Sequence, residues 1–313
     1  MATVVTAQIA EEDATQGGVL VREQVGLWRD GLRRLRRNKL ALAGAFYLIF
    51  IVLVALVAFA WTPYKPSAQN VCPVEFAYAD GISAAHPFGC DPLGRDILSQ
   101  MMQGAQISLI VGVGTSLIVC VVGISVGLLA GFSRGVLDAV ISTVINAFYG
   151  VPYLLLSLVL YLVLGPGLLT IMIAISATSW MDMARLVRGQ ALSIREREFV
   201  EAARASGTRQ GRILFTHIFP NALGPIIVQA TFIIPVAILT EAFLSFLGVG
   251  IRPPLFSWGA IASGSNTGGT PLNLLQSAPW IVLFPSAALS VTLLAFNFFG
   301  DGLRDAFDPR QKR

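Results

Sequence analysis

No GxxxxGK[ST] phosphate loop occurs in this chain, so it does not hydrolyse a nucleotide by that route. Neither GxSxG nor HExxH is present, which removes the signatures of a serine hydrolase and of a zinc protease. Histidine is almost missing, with only His86 and His217, and the three cysteines, Cys72, Cys90 and Cys120, contain no CxxC pair. Nothing here suggests an enzyme or a metal site. Charge is scarce too: 13% of the residues are Asp, Glu, Lys or Arg, while 55% are hydrophobic and the mean hydropathy is +0.70. That balance excludes an ordinary soluble domain and points to a bilayer.

Crossing the hydrocarbon core takes roughly 20 apolar residues as a helix. Six stretches qualify, near 40–61, 107–131, 137–164, 167–187, 223–249 and 280–299. The expected fold is an all-α integral membrane protein with six transmembrane helices; alternating strands of a membrane barrel are not visible. The first run, Leu40 to Trp61, exceeds a signal core of roughly 7–15 residues, and it reads as a retained anchor.

Orientation follows from basic residues, which concentrate on the cytoplasmic side. With the N-terminus inside, 19 of the 22 Lys and Arg residues face the cytoplasm, leaving Lys65, Arg95 and Arg252 outside. Both termini are then cytoplasmic, and His86 and His217 lie on opposite sides, too far apart to share a metal. The formal charge of +4 reports this topology and attraction to membrane lipid, with no nucleic-acid partner. Residues 1–39 form a cytoplasmic tail whose part 19–39 suits a helix lying on the membrane surface. The first span covers 40–61, an extracytoplasmic loop 62–106, the core 107–299 and a cytoplasmic tail 300–313.

One watery segment interrupts this pattern between the fourth and fifth spans. In EAARASGTRQGRILFTHIFPN, residues 201–221, helix formers flank Gly207, and Pro220 precedes the next span. The pattern predicts two short helices with a turn at Gly207, where glycine tolerates positive φ. Ala202 and Ala203 leave a flat face. A solvated loop and a surface for another protein both fit.

Glu201, Ala202, Ala203, Gly207 and Pro220 resemble the EAA loop of permease subunits of ATP-binding-cassette (ABC) importers, and His217, Ile218, Pro220 and Asn221 resemble the ending found in the peptide-transport subgroup. Three further stretches, HPFGCDPLGRDILSQMMQGAQISL (86–109), EAFLSFLGVGIRPPLFSWG (241–259) and LLAFNFFGDGLRDAFDPR (293–310), resemble blocks of the dipeptide and oligopeptide permease C family. The resemblance covers about residues 25–310. It implies a type I importer transmembrane domain in a prokaryotic inner membrane, with the EAA loop near 188–222. It also implies a coupling helix at about 195–215 that docks on a separate ATPase subunit. A B-type permease, two ATPases holding ATP and Mg2+, and an extracytoplasmic binding protein would complete the importer; the chain itself would hold no cofactor. Di- or oligopeptide is the leading cargo, with nickel chelate, glutathione or antimicrobial peptide as alternatives. A stand-alone secondary carrier would want inverted repeats and several buried charges, and neither is evident.

Glu201 would cap the docking helix or pair with a basic group of the partner. Glu241, inside the fifth span, must face protein or a watery path, and both structural and path-lining roles fit. Asp182 is expected to pair with Arg185 or Arg188, the alternative being contact with cargo. Asn146 and Thr143 stand where the family commonly has Asp and Arg, so that helix is not expected to rely on a charge pair. Pro152, Pro166, Pro225 and Pro235 are expected to kink or end helices, and Gly112, Gly114, Gly123, Gly127 and Gly131 to form a packing face. Cys90 stands where the family block usually has Thr, and an oxidising compartment permits a disulfide with Cys72; Cys120 is expected to stay reduced and buried.

Overall fold

The computed structural model describes residues 31, 33–72, 82–133, 135–267 and 269–307, and among them the regular elements are helical, apart from one isolated bridge between Cys90 and Asp96. Most of the surface helix expected over 19–39 lies outside the described residues. Helix α1 (Lys39–Ala60) is started by Asn38, whose side chain accepts hydrogen bonds from Leu40 N and Ala41 N at 3.1 and 3.2 Å. Helix α2 (Ile97–Phe132) has 36 residues, about 54 Å, well over the thickness of a bilayer core. It begins ten residues ahead of the expected span because Asp96 caps it there, accepting from Ser99 N at 2.7 Å. Ser99 and Gln100, which look too polar for a span, are buried under the preceding loop.

The stretch expected as a single span at 137–164 is two helices, α3 (Val136–Tyr149) and α4 (Tyr153–Leu164), meeting at 91°. Pro152 is the physical reason: it lacks an N–H, its φ is −58°, and it disfavours helical geometry in Val151 before it. At about 21 and 18 Å, neither piece reaches across about 30 Å of hydrocarbon alone. Helix α5 (Leu168–Arg195) follows Pro166 and Gly167. After two short helices and a π-helical turn, α8 (Phe219–Phe246) continues through Pro225 and Pro235 without ending. Two short helices, α9 (Trp258–Ala262) and α10 (Pro271–Ser277), precede α11 (Trp280–Phe307), which extends past residue 300, where a tail was expected.

Among the described residues, four helical stretches are able by length and composition to cross a membrane, α1, α2, Gln210–Phe246 and α11, with a fifth if the bent α3–α4 pair is one span. The expected six is therefore not reached on these grounds. The remaining stretch is α5, long enough at 28 residues but carrying Asp182, Arg185, Arg188 and Arg195 in its second half.

Helices α2 and α5 lie against each other along most of their length, with α8 crossing both, while α1 and α11 pair alongside α2 and α8. Glycine sets the spacing. A Cβ added at Gly123 or Gly127 would sit 2.6 Å from Met183 Cβ or Ala184 O, and at Gly131 2.7 Å from Ala191 Cβ, all on α5. Large apolar side chains such as Phe46, Phe59, Leu117, Val121 and Val163 remain exposed, as a lipid-facing surface requires.

Candidate functional site

Between α5 and α8 the chain forms α6 (Glu198–Ala205), α7 (Gln210–Ile213) and a π-helical turn, Leu214–Ile218, that runs straight into α8. Gly207 closes α6 at φ +78°. Its N–H donates to Arg204 O at 2.9 Å, and Thr208 N donates to Ala203 O at 3.1 Å. That pair of bonds is a Schellman cap, which needs a left-handed residue and therefore favours glycine.

Val200, Ile213 and Ile218 are fully buried in one apolar cluster with Val187, Ala191 and Ile194 of α5 and Ala222 and Ile226 of α8; Ala203 packs against its edge. Glu201, Ala202, Arg204, Ala205 and Ser206 point away and are exposed. The segment is thus fastened to two long helices by one face and bare on the other. No side-chain bond caps α6, so of the two roles open to Glu201 the capping one is not seen; Glu201 lies in the first turn as an exposed carboxylate, where the helix dipole favours negative charge. His217 is half-buried, 6.2 Å from the Phe199 ring, and its carbonyl accepts from Asn221 Nδ2 at 2.6 Å. Pro220 opens α8 next to the π-helical turn, where its missing N–H leaves the ladder short of one donor.

A second polar group lies where α3 faces α5. Asn146, Tyr149, Asp182 and Arg185 are all exposed. Asp182 does not pair with either arginine. It accepts a hydrogen bond from Tyr149 OH, while Arg185 lies 3.9 Å over the Tyr149 ring and donates to Asn146 Oδ1 at 3.1 Å. Arg188 is taken by Asp138, with Nε and Nη2 at 2.6 and 2.9 Å from the two carboxylate oxygens. So the third-span helix does hold a charge pair, two turns before Asn146 and with a partner on another helix. Tyr149 and Asp138 were not singled out in the sequence, and nothing in its spacing identifies Tyr149.

Glu241 of α8 is fully buried and faces neither lipid nor solvent. Its Oε1 accepts from Ser245 Oγ and Ser257 Oγ, both at 2.7 Å, and Ser257 in turn caps α9 through Ala260 N at 3.1 Å. Glu241 thereby ties the short α9 to the long α8. Because both bonds go to one oxygen, Glu241→Gln is expected to cost under about 1 kcal/mol, whereas Glu241→Leu strands two buried hydroxyls at about 1–3 kcal/mol each. Thermal unfolding of the purified variants checks this; equal melting of the two would contradict the assignment.

The loop ahead of α2 carries Cys72 and Cys90, which are joined as a disulfide with Cα atoms 6.5 Å apart. Cys120 is free but half-buried, not fully buried as expected, because its stretch of α2 also meets the outside of the bundle. The same loop holds an unforeseen network: Asp91 is fully buried and binds Arg95 and Gln100. Its D-x-x-x-R spacing was a readable signal.

Residues 123–313 match the family model described as binding-protein-dependent transport system inner membrane component, and residues 26–72 match that of the N-terminal TM domain of oligopeptide transport permease C. A dipeptide transport system permease protein of Bacillus subtilis is 40% identical over 97% of this chain and 92% of its own length. An oligopeptide transport system permease protein of the same organism is 38% identical over 97% and 96%. One from Escherichia coli is 39% identical over 91% and 92%. With a family model covering more than half of the chain and relatives of this identity along nearly all of it, the chain belongs to the inner membrane components of binding-protein-dependent transport systems.

Proposed function

We propose that this chain is one of two membrane-spanning subunits of an ATP-driven importer of di- or oligopeptides. The observation that carries the reading is the two-faced segment 198–218: one face is locked into the core of α5 and α8, and the other, with Glu201 and Ala202, is presented bare. A surface built this way transmits a push. The segment is the coupling helix, docked on one of two separate ATPase subunits that hold ATP and Mg2+. A B-type permease and an extracytoplasmic binding protein complete the assembly. The peptide cargo rests on the names of the relatives, which are dipeptide and oligopeptide permeases.

In this reading α5 is the remaining span and α3–α4 a broken one, which gives six, with both termini in the cytoplasm of a prokaryotic cell. The charged half of α5 is tolerated because it faces neighbouring subunits and a watery path, since charge facing lipid is costly. Asn146 and Asp182, with Tyr149 and Arg185 between them, are exposed on the single chain and line that path. Glu241, being enclosed, holds the wall together instead.

Gly207→Val tests the coupling role. A β-branched residue at φ +78° costs about 1–2 kcal/mol, a drop of about five- to thirty-fold in the docking-competent geometry. Because nothing lies within 4 Å of a Cβ there, packing is not disturbed. The variant is expected to insert and assemble normally while peptide uptake into proteoliposomes falls by a similar factor. Unchanged uptake would sink the coupling role. Co-purification of the tagged chain in mild detergent tests the assembly: recovery without ATPases would overturn it.

A further inference from the structure

The disulfide between Cys72 and Cys90 has a third neighbour. One ligand atom from each of Cys72, His86 and Cys90 lies within 4.8 Å of the other two, and all three residues are buried. The ring of His86 is held on both sides. Its Nδ1 is 2.9 Å from Asp96 Oδ1, Asp96 Oδ2 is fixed by Ser99 N and Ser99 Oγ at 2.7 and 2.6 Å, and the ring lies 4.9 Å from that of Tyr64. A carboxylate on one imidazole nitrogen fixes the tautomer and frees the other nitrogen for a ligand, the arrangement that supports histidines bound to zinc.

The backbones around the cluster do not depend on the S–S bond. Val71 N and Cys72 N both donate to Gly94 O at 2.9 and 3.2 Å, and Asn70 N donates to Leu93 O. Ile97 N donates to Gly89 O and Asp91 N to Arg95 O, both at 3.0 Å, and Trp280 Nε1 reaches Cys90 O at 3.4 Å. Opening the disulfide therefore leaves two thiols and an oriented imidazole on a fixed frame. Tetrahedral zinc, with Zn–S about 2.3 Å and Zn–N about 2.0 Å, needs its ligand atoms about 3.5–3.8 Å apart. The three ligand atoms already lie within 4.8 Å of one another, and reduction lifts the covalent constraint on the two sulfurs.

We propose that Cys72, His86 and Cys90 form a thiol-gated site for one thiophilic divalent cation such as Zn2+, closed while the cysteines are bonded and open when they are reduced. The reductant is a dithiol. One of its thiolates attacks a cysteine sulfur, the Cys72–Cys90 bond breaks, and its second thiol resolves the mixed disulfide; two electrons pass to the protein and the reductant leaves oxidised. The cation then replaces the two thiol protons, which go to solvent, and water fills the fourth position. Two thiolates and one imidazole are a donor set suited to zinc.

The test uses the full-length protein in detergent, with Co2+ as a coloured probe for Zn2+. After anaerobic reduction and removal of the reductant, one Co2+ per chain is expected to bind with a thiolate-to-cobalt charge-transfer band, and Zn2+ to displace it. The oxidised protein should give no band. Cys120→Ser should keep it and Cys90→Thr should lose it. His86→Gln should weaken binding by more than about 100-fold, beyond what loss of an outer-shell partner costs. A reduced wild-type protein without the band, an identical band in the oxidised protein, or thiols at 72 and 90 that stay locked against a dithiol would each overturn the proposal. The wild-type comparison stands even if a variant fails to fold.

Discussion

Asp91→Ala is expected to destabilise the protein by about 3–5 kcal/mol, the loss typical of stripping one member from a buried ion pair. Asp91 is fully buried, and both carboxylate oxygens are used. Oδ1 accepts from Leu93 N at 2.9 Å and Arg95 N at 3.0 Å, while Oδ2 accepts from Arg95 Nε at 2.6 Å and Gln100 Nε2 at 2.9 Å. Arg95 is only 2% exposed, lies 5.0 Å over the Phe256 ring and donates to Asn266 O at 2.9 Å. Without Asp91 its guanidinium is left charged in a dry pocket, since arginine does not shed its proton. The same change loosens one tie between the start of α2 and the loop after α9, the Arg95–Asn266 bond, while Trp258 Nε1, which donates to Met101 O at 3.0 Å, still joins α9 to α2. Thermal unfolding in detergent measures the loss, and a melting curve close to wild type would contradict the account. The double variant Asp91→Ala, Arg95→Met should recover much of the stability, because it removes the orphaned charge along with its partner.

Where the sequence could be read, the chemistry lay in local spacing. Gly207 was identifiable as a helix stop because positive φ is a property of one residue, and the apolar runs marked α1 and α11 because hydropathy adds up along a helix. Long-range partners left no such trace. Asp182 sits three residues from Arg185 and six from Arg188, yet it bonds Tyr149 from another helix; Arg188 finds Asp138, fifty residues away, and only the fold decides which is closer. Direction was equally hidden: the apolar run 137–164 has the composition of one span, and the proline that bends it by 91° scarcely alters its hydropathy. The start of α2 was missed for a related reason. Ser99 and Gln100 are polar and look like loop, but Ser99 bonds the carboxylate of Asp96 and Gln100 that of Asp91, so burial costs them little. The two-faced build of segment 198–218 was half legible. Its Ala and Gly spacing could be read, but which side chains turn inward depends on α5 and α8.

Gly127→Val is expected to cost about 3 kcal/mol, at the upper end of overpacking changes, and to loosen the whole α2–α5 contact. Gly127 sits between Gly123 and Gly131, one residue in four on the face of α2 that α5 covers, so the three form a row along which two backbones come close. A Cβ at 127 would stand 2.6 Å from Ala184 O and 2.7 Å from Val187 Cβ. The nearer of these is backbone, which has no rotamer to retreat into, so the helices themselves must part. Separation at this point also strips contacts from Met183 and Val187, both fully buried, and each lost methylene contact adds to the cost. Gly189→Ala is the control. It lies inside α5 with nothing within 4 Å of an added Cβ, so it should stabilise by about 0.5–1 kcal/mol through the reduced freedom of the unfolded chain. Melting temperatures of the two purified variants, measured side by side, decide the matter: the substitutions should move stability in opposite directions. A Gly127→Val protein as stable as the Gly189→Ala protein would show that α2 and α5 have slack along this row.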